Sequence, residues 1–246
     1  MSLSASEVAT LLKKERFNPD IIPQLESYLV SQVQQDNADA PSAAYDPDAN
    51  RALIKLYQFF PQKANTQNIL LAETLALVYG ASSKEGSLDF GSLGCLINES
   101  HKKDEPYPTL IQCAELQDSC QFTEFWTVYH SIATNSGDYE LVSKLTKSAH
   151  AKNALRKSIL NTLSLAFKTT KLSYVLEQLD MKTDEVDAVL GKVNTVVEKV
   201  NTDSDSICFC DNVENTKRDK VNQEGGIDFA MIRGLVVHNK TRVDAE

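Results

Sequence analysis

Nowhere in its 246 residues does the chain string together the roughly 18 apolar side chains that a membrane-crossing helix needs. Its opening, Met1-Ser2-Leu3-Ser4, lacks a basic patch followed by an apolar run, so no secretory signal is read there and the cytosol is the expected compartment. Cysteine is sparse. The five residues Cys95, Cys113, Cys120, Cys208 and Cys210 are odd in number and thinly spread, which argues against a disulfide framework and predicts reduced thiols. Cys113 and Cys120 are expected on the apolar face of a helix, where a thiol acts as a small hydrophobe.

The residues that catalysis and ligand binding draw on are equally thin. Of the four histidines, His101, His130, His150 and His238, none forms H-x-x-x-H with another and none adjoins a cysteine pair. His101, among Lys102, Lys103 and Asp104, reads as part of a solvated turn. Cys208 and Cys210 are spaced C-x-C, which on a strand puts both thiols on one face. No second ligand pair follows, so packing is expected there rather than zinc. No G-x-x-x-x-G-K or G-x-G-x-x-G loop is present to cradle phosphate, and no G-x-S-x-G elbow marks a nucleophile. The sequence therefore predicts a protein without catalytic, cofactor-binding or metal-ligating residues.

A surplus of positive charge is missing too. The net charge is −9, which argues against a dedicated nucleic-acid binder, but the charges are unevenly placed. Residues 1–100 carry seven basic and twelve acidic side chains, and 101–143 carry two and seven. From Lys144 to Lys171 there are seven bases and no acid, after which 172–246 returns to nine against fifteen. Lys144, Lys147, Lys152, Arg156 and Lys157 are thus the candidate contacts for RNA or an acidic partner. The alternative is a solvated helix face over the stripe Leu155, Ile159, Leu163 and Phe167. Apart from Phe167 no aromatic side chain interleaves these bases, which weakens a base-stacking role.

What the chain does have is apolar residues at helical spacing almost throughout. Ile22, Leu25, Leu29 and Val33 form one stripe. Leu53, Leu56, Tyr57 and Phe60 form another, in a helix that Asp46-Pro47 can open. Leu71, Leu75 and Val78 continue the pattern, and Phe122, Phe125, Trp126, Tyr129 and Ala133 make the most aromatic stripe. The short breaks between them favour antiparallel helical pairs stacked in the manner of an α-solenoid, although no strict repeat is visible. Residues 34–46 read as a loop.

After Lys171 the pattern changes. Leu172, Val175, Leu176 and Leu179 predict a short helix, and Thr183 can cap a second one with Val186, Val189, Leu190 and Val193 on its apolar face. Strand-like residues follow from Thr195 to Val200, then a polar turn and Ser206 to Cys210. Two helices and a β-hairpin are the order of a winged helix, and a continuous helix over 184–200 is the competing reading. Four lysines face nine acids between Lys171 and Asp211, so duplex DNA is an unfavourable ligand and protein docking is expected. Ile207 and Phe209 are candidate partner contacts. So are Ile227, Met231 and Leu235, whose apolar stripe in a terminal helix needs another surface to cover it.

Several blocks carry a family likeness. Arg16-Phe17-Asn18-Pro19, Leu25-Glu26-Ser27-Tyr28-Leu29, and Tyr45-Asp46-Pro47-Asp48-Ala49-Asn50 running into Leu53-Ile54-Lys55-Leu56-Tyr57-Gln58-Phe59 resemble the subunit k family of eukaryotic translation initiation factor 3. So does Leu116-Gln117-Asp118-Ser119-Cys120-Gln121-Phe122 with Phe125-Trp126. Residues 37–43 look inserted against that pattern, and the end after Gly234 has no counterpart in it.

The resemblance implies a mainly α protein of the PCI type. HEAT-like helical repeats would occupy 1–168, a winged-helix domain 169–213, and a loop with a C-terminal helix and tail 214–246. It also implies a scaffold role beside subunit l in the factor that loads mRNA and initiator tRNA onto the small ribosomal subunit, with no cofactor and no membrane contact. A PCI-type subunit of the proteasome lid or the COP9 signalosome shares this architecture and is the alternative. An RNA-binding protein using 144–171 is the other.

Overall fold

Ser4 opens the first helix with a reciprocal capping box. Its Oγ accepts from the Glu7 amide at 3.4 Å, and its own amide donates to Glu7 Oε2 at 2.7 Å. The helix that follows, α1 (Ala5–Glu15), places Lys13 and Lys14 in its last turn, where the helix dipole favours cations. The computed structural model describes residues 3–35, 45–80, 88–103, 105–182, 196–216 and 232. Among these the chain is mainly α-helical, with ten helices and one small sheet.

Asn18 and Pro19 start a 3-10 turn leading into α2 (Ile22–Gln35). Asp46 caps α3 (Pro47–Phe59), accepting from the Ala49 amide at 3.0 Å with Pro47 in the first turn, as the sequence predicts. Asn65 caps α4 (Thr66–Tyr79). Then come α5 (Leu88–Gly94), α6 (Tyr107–Asp118), α7 (Phe122–Asn135), α8 (Glu140–Lys147) and α9 (Ala149–Ala166). Ser148, accepting from the amides of His150 and Ala151, caps α9 and divides the basic segment into two helices.

Within this helical body α4 departs from a simple stack of pairs. Every residue from Asn68 to Tyr79 is buried, and α4 packs against α2, α3, α5, α6, α8 and α9. A helix apolar all round belongs at the centre of a core, and α4 sits there. The aromatic stripe of α7 is buried at Phe122, Phe125, Trp126 and Tyr129, and the rings of the last three meet edge-on and stacked.

The end of α9 feeds β1 (Thr169–Lys171), then α10 (Leu172–Gln178). Further on, β2 (Val197–Asn201) and β3 (Ser206–Phe209) form the expected hairpin, so a helix continuing to residue 200 is excluded over 197–200. The sheet is antiparallel in the order β1-β3-β2, with Thr170 and Val200 both opposite Ile207 and a bulge between Val197 and Lys199. Strand β1 was not foreseen, because three polar residues acquire strand geometry only through their pairing with β3. The expected loop over 34–46 falls largely on residues 36–44, outside the described residues. The helix expected after Thr183 and nearly all of the expected terminal helix also lie outside them.

Polar groups inside the helical body are mostly matched. Gln32 and Asn50 exchange amide hydrogen bonds at 2.8 and 3.2 Å, and Gln32 Oε1 also accepts from the Asp46 amide. The Tyr57 hydroxyl donates to Glu26 and accepts from Asn68, tying α2, α3 and α4 together. Asp89 is buried but held by Tyr45 at 3.2 Å and Arg51 at 3.3 Å.

Glu73, at the centre of α4 and 0% exposed, is less completely matched. Its Oε1 accepts from the Tyr107 hydroxyl at 3.4 Å, while Oε2 meets no hydrogen-bond donor among the described residues. Burial holds this carboxyl well above the usual carboxylate range, and the Tyr107 hydrogen bond and the Lys102 charge offset only part of that. An unfolded glutamate loses its proton near pH ~4.3, whereas the folded one keeps it to higher pH. Stability therefore falls as pH rises between those two points, by at most about tenfold in the folding constant per pH unit. Glu73→Gln removes the ionisable group and keeps the shape. It is expected to raise stability at neutral pH and to flatten this decline, as urea titrations at pH 5 and pH 8 would report.

Candidate functional site

Among the described residues no group of three or more His, Cys, Asp or Glu side chains is placed to share a metal ion. Cys113 is buried and its thiol is pushed up to about 12 by desolvation, as befits a packing residue. Cys120 is not on that apolar face. Helix α6 ends at Asp118, and Cys120 stands exposed in the turn beyond it with φ +58°. Cys208 faces Thr169, whose hydroxyl lies 3.6 Å from Sγ. His101 is half-buried against Thr66 Oγ1 at 3.1 Å rather than fully solvated.

Polar side chains gather at both ends of α10. At its start Asp205, from the turn between β2 and β3, accepts from the Ser173 amide and hydroxyl, both at 2.7 Å. These bonds hold the Asp205 carboxyl below the usual range. At its end the Trp126 indole N–H donates to the Gln178 carbonyl at 2.9 Å. Arg156 donates from Nε to the Leu179 carbonyl at 3.0 Å and from Nη2 to the Asp180 carbonyl at 2.6 Å. His130 Nε2 lies 2.8 Å from the Asp180 carboxylate, and the backbone turns there with φ +48°. Carbonyls that a helix C-terminus leaves unpaired are thus satisfied by α7 and α9.

Arg156, expected to contact RNA or an acidic partner, is half-buried, and its guanidinium is engaged by these two carbonyls within the fold. The other bases of the segment are freer. Lys144, Lys147 and Lys157 are exposed, and Lys152 is half-buried. Lys168 is paired with Asp211 at 2.6 Å. Ile207 and Phe209, expected at a partner interface, are both 0% exposed and belong to the core-facing side of β3. Strand alternation identifies their shared face; what covers it is the chain's own interior. Ile227, Met231 and Leu235 lie outside the described residues.

Exposed apolar side chains occur elsewhere. Leu165, Tyr174 and Val213 are exposed beside the sheet, with Tyr174 edge-on to Phe167. Phe17 and Phe59 meet at the far end of the helical body. The sequence held a signal for Phe59: at about 100° per residue it falls outside the arc shared by Leu53, Leu56, Tyr57 and Phe60.

No family model matches the chain. It is 27% identical over 165 residues to "Eukaryotic translation initiation factor 3 subunit K" of Anopheles gambiae, covering 67% of this chain and 65% of that protein. To the protein of the same name from Drosophila persimilis it is 30% identical over 168 residues, again 67% and 65%. To that from Homo sapiens it is 32% identical over 125 residues, 49% and 50%. The chain thus spans just under two thirds of the length of the insect relatives it matches, and half of the human one. All three carry one name, in keeping with the blocks picked out in the sequence, and the chain is a homologue of the proteins named eukaryotic translation initiation factor 3 subunit K.

Proposed function

We propose that the chain is a non-catalytic scaffold subunit of eukaryotic translation initiation factor 3, the assembly that promotes binding of mRNA and initiator methionyl-tRNA to the small (40S) ribosomal subunit. The observation that carries this reading is the name its relatives share, at 27–32% identity. Subunit l is its direct neighbour, the small ribosomal subunit is reached through the complex, and the cytoplasm is its compartment. Residues 1–168 act as the helical-repeat domain, 169–213 as a winged helix and 214–246 as the tail. The acid excess around the hairpin supports docking onto protein rather than duplex DNA. No helix among the described residues is long and apolar enough to cross a membrane.

Affinity purification of the tagged full chain from cytosolic extract is expected to recover the other subunits of initiation factor 3, with subunit l retained longest as salt rises. Recovery of proteasome-lid or signalosome subunits in their place would overturn the assignment.

A further inference from the structure

Phe17 and Phe59 are 65% and 51% exposed, yet their rings touch edge to face with centroids 6.2 Å apart. Phe17 lies in the turn that closes α1 and Phe59 ends α3, so two distant segments bring aromatic side chains together without covering them. Single exposed apolar residues are ordinary, but a joined pair makes a patch.

The patch has a basic border. Lys55 Nζ stands 5.1 Å from the centroid of the Phe59 ring, within cation–π range. Lys63 Nζ donates to the Pro19 carbonyl at 3.4 Å, and Lys13 and Lys14 are exposed in the last turn of α1. None of these four lysines is ion-paired with a carboxylate among the described residues. Arg16 is paired with Asp48, Glu15 accepts from the Asn18 side chain, and Asp20 sits in the first turn of the 3-10 segment. With Glu26 held by Tyr57 at the cleft and the Lys102–Glu99 pair beside it, six bases stand against five acids here, a slight basic excess in a chain whose net charge is −9. Beyond Gln58, which accepts from Lys55 at 2.8 Å, the surface falls into a half-open cleft of about 300 Å³ lined by Ile54, Tyr57, Pro61, Ile69 and Ile97 among others.

We infer that this end of the helical body docks an acidic amphipathic segment of a partner protein. The segment's apolar side chains seat on Phe17 and Phe59 and in the cleft, and its carboxylates meet Lys55 and Lys63. Aromatic anchors inside a charged rim are the usual make-up of a binding hot spot. Phosphate would also suit the lysines, but Lys55 stands over the ring of Phe59 where a base would stack, so protein is the better-fitting occupant. The docking site is independent of which complex the chain joins.

The test is photo-cross-linking of the full chain in cells with Phe59→p-benzoylphenylalanine. The expected product joins residue 59 to a peptide of another protein in which carboxylates outnumber bases and apolar residues recur at helical spacing. Adding Lys55→Glu and Lys63→Glu is expected to cut the yield by roughly tenfold or more, a hot-spot effect, while Lys55→Arg with Lys63→Arg preserves it. Circular dichroism of each variant should match the parent, because the altered side chains lie on the surface. Cross-linking to RNA, to a basic or uncharged segment, or to a second copy of the chain overturns the inference. So does a yield no higher than that of the same probe at Gln112, an exposed residue of α6.

Discussion

Phe209→Ala is expected to lower folding stability by about 3–5 kcal/mol, as for other fully buried aromatic side chains truncated in a core. Phe209 is 0% exposed, and it shares the inner face of β3 with Ile207, which is equally buried. Helix α10 packs against β3, and β3 is the central strand of the sheet, so the cavity cannot close without moving the sheet. Urea denaturation of the isolated chain, followed by fluorescence of its one tryptophan, reads the effect directly. Trp126 is buried against the end of α10 and reports on that junction. Val213→Ala, at a site 76% exposed, is the control and should change stability by less than about 0.5 kcal/mol. If Phe209 acted chiefly as a partner contact, the isolated chain would tolerate its loss as it tolerates that of Val213.

Arg156→Ala is expected to cost about 1.5–3 kcal/mol, the range for hydrogen bonds that involve a charged group. Two carbonyls, those of Leu179 and Asp180, lose their donors together, and Leu179 is buried. Arg156→Lys should recover only part of the loss, because an ammonium lacks the planar fork that reaches both oxygens. Charge reversal at Lys144, Lys147 and Lys157, all exposed, should leave the urea midpoint nearly unchanged. The contrast bears on the RNA-binding alternative. A test that reverses Arg156 along with its neighbours would confound lost charge with lost fold, so the clean version reverses those three lysines alone. Salt-sensitive RNA affinity of the wild type that disappears in the triple variant would favour RNA contact through this segment.

Much of the helical body was legible from local chemistry. Asp46-Pro47 marked the start of α3, and the stripes of α2, α3 and α7 named residues that the structure buries. The hairpin was legible as well, since Val197 to Val200 and Ile207 to Phe209 flank a polar turn. What escaped was information that lies between segments. The sequence shows Arg156 as one more positive charge, and its carbonyl partners are 23 and 24 residues away. Ile207 and Phe209 alternate as a buried face must, but alternation does not say whether the cover is internal or another protein. Cys120 fell on the extrapolated stripe of α6, which ends two residues before it. The exposed meeting of Phe17 with Phe59 depends on how α1 crosses the end of α3, which neither segment encodes alone.

Helix α10 has seven residues, too few to persist in water without outside contacts. Its start is held by Asp205, 32 residues downstream of Ser173, and its end by Trp126, 52 residues upstream of Gln178. A chain emerging from the N-terminus therefore carries the receptor for α10 long before the residue that fastens its other end. Both fastenings can be in place only after the turn between β2 and β3 has been made, so the fully latched helix requires the chain through residue 205.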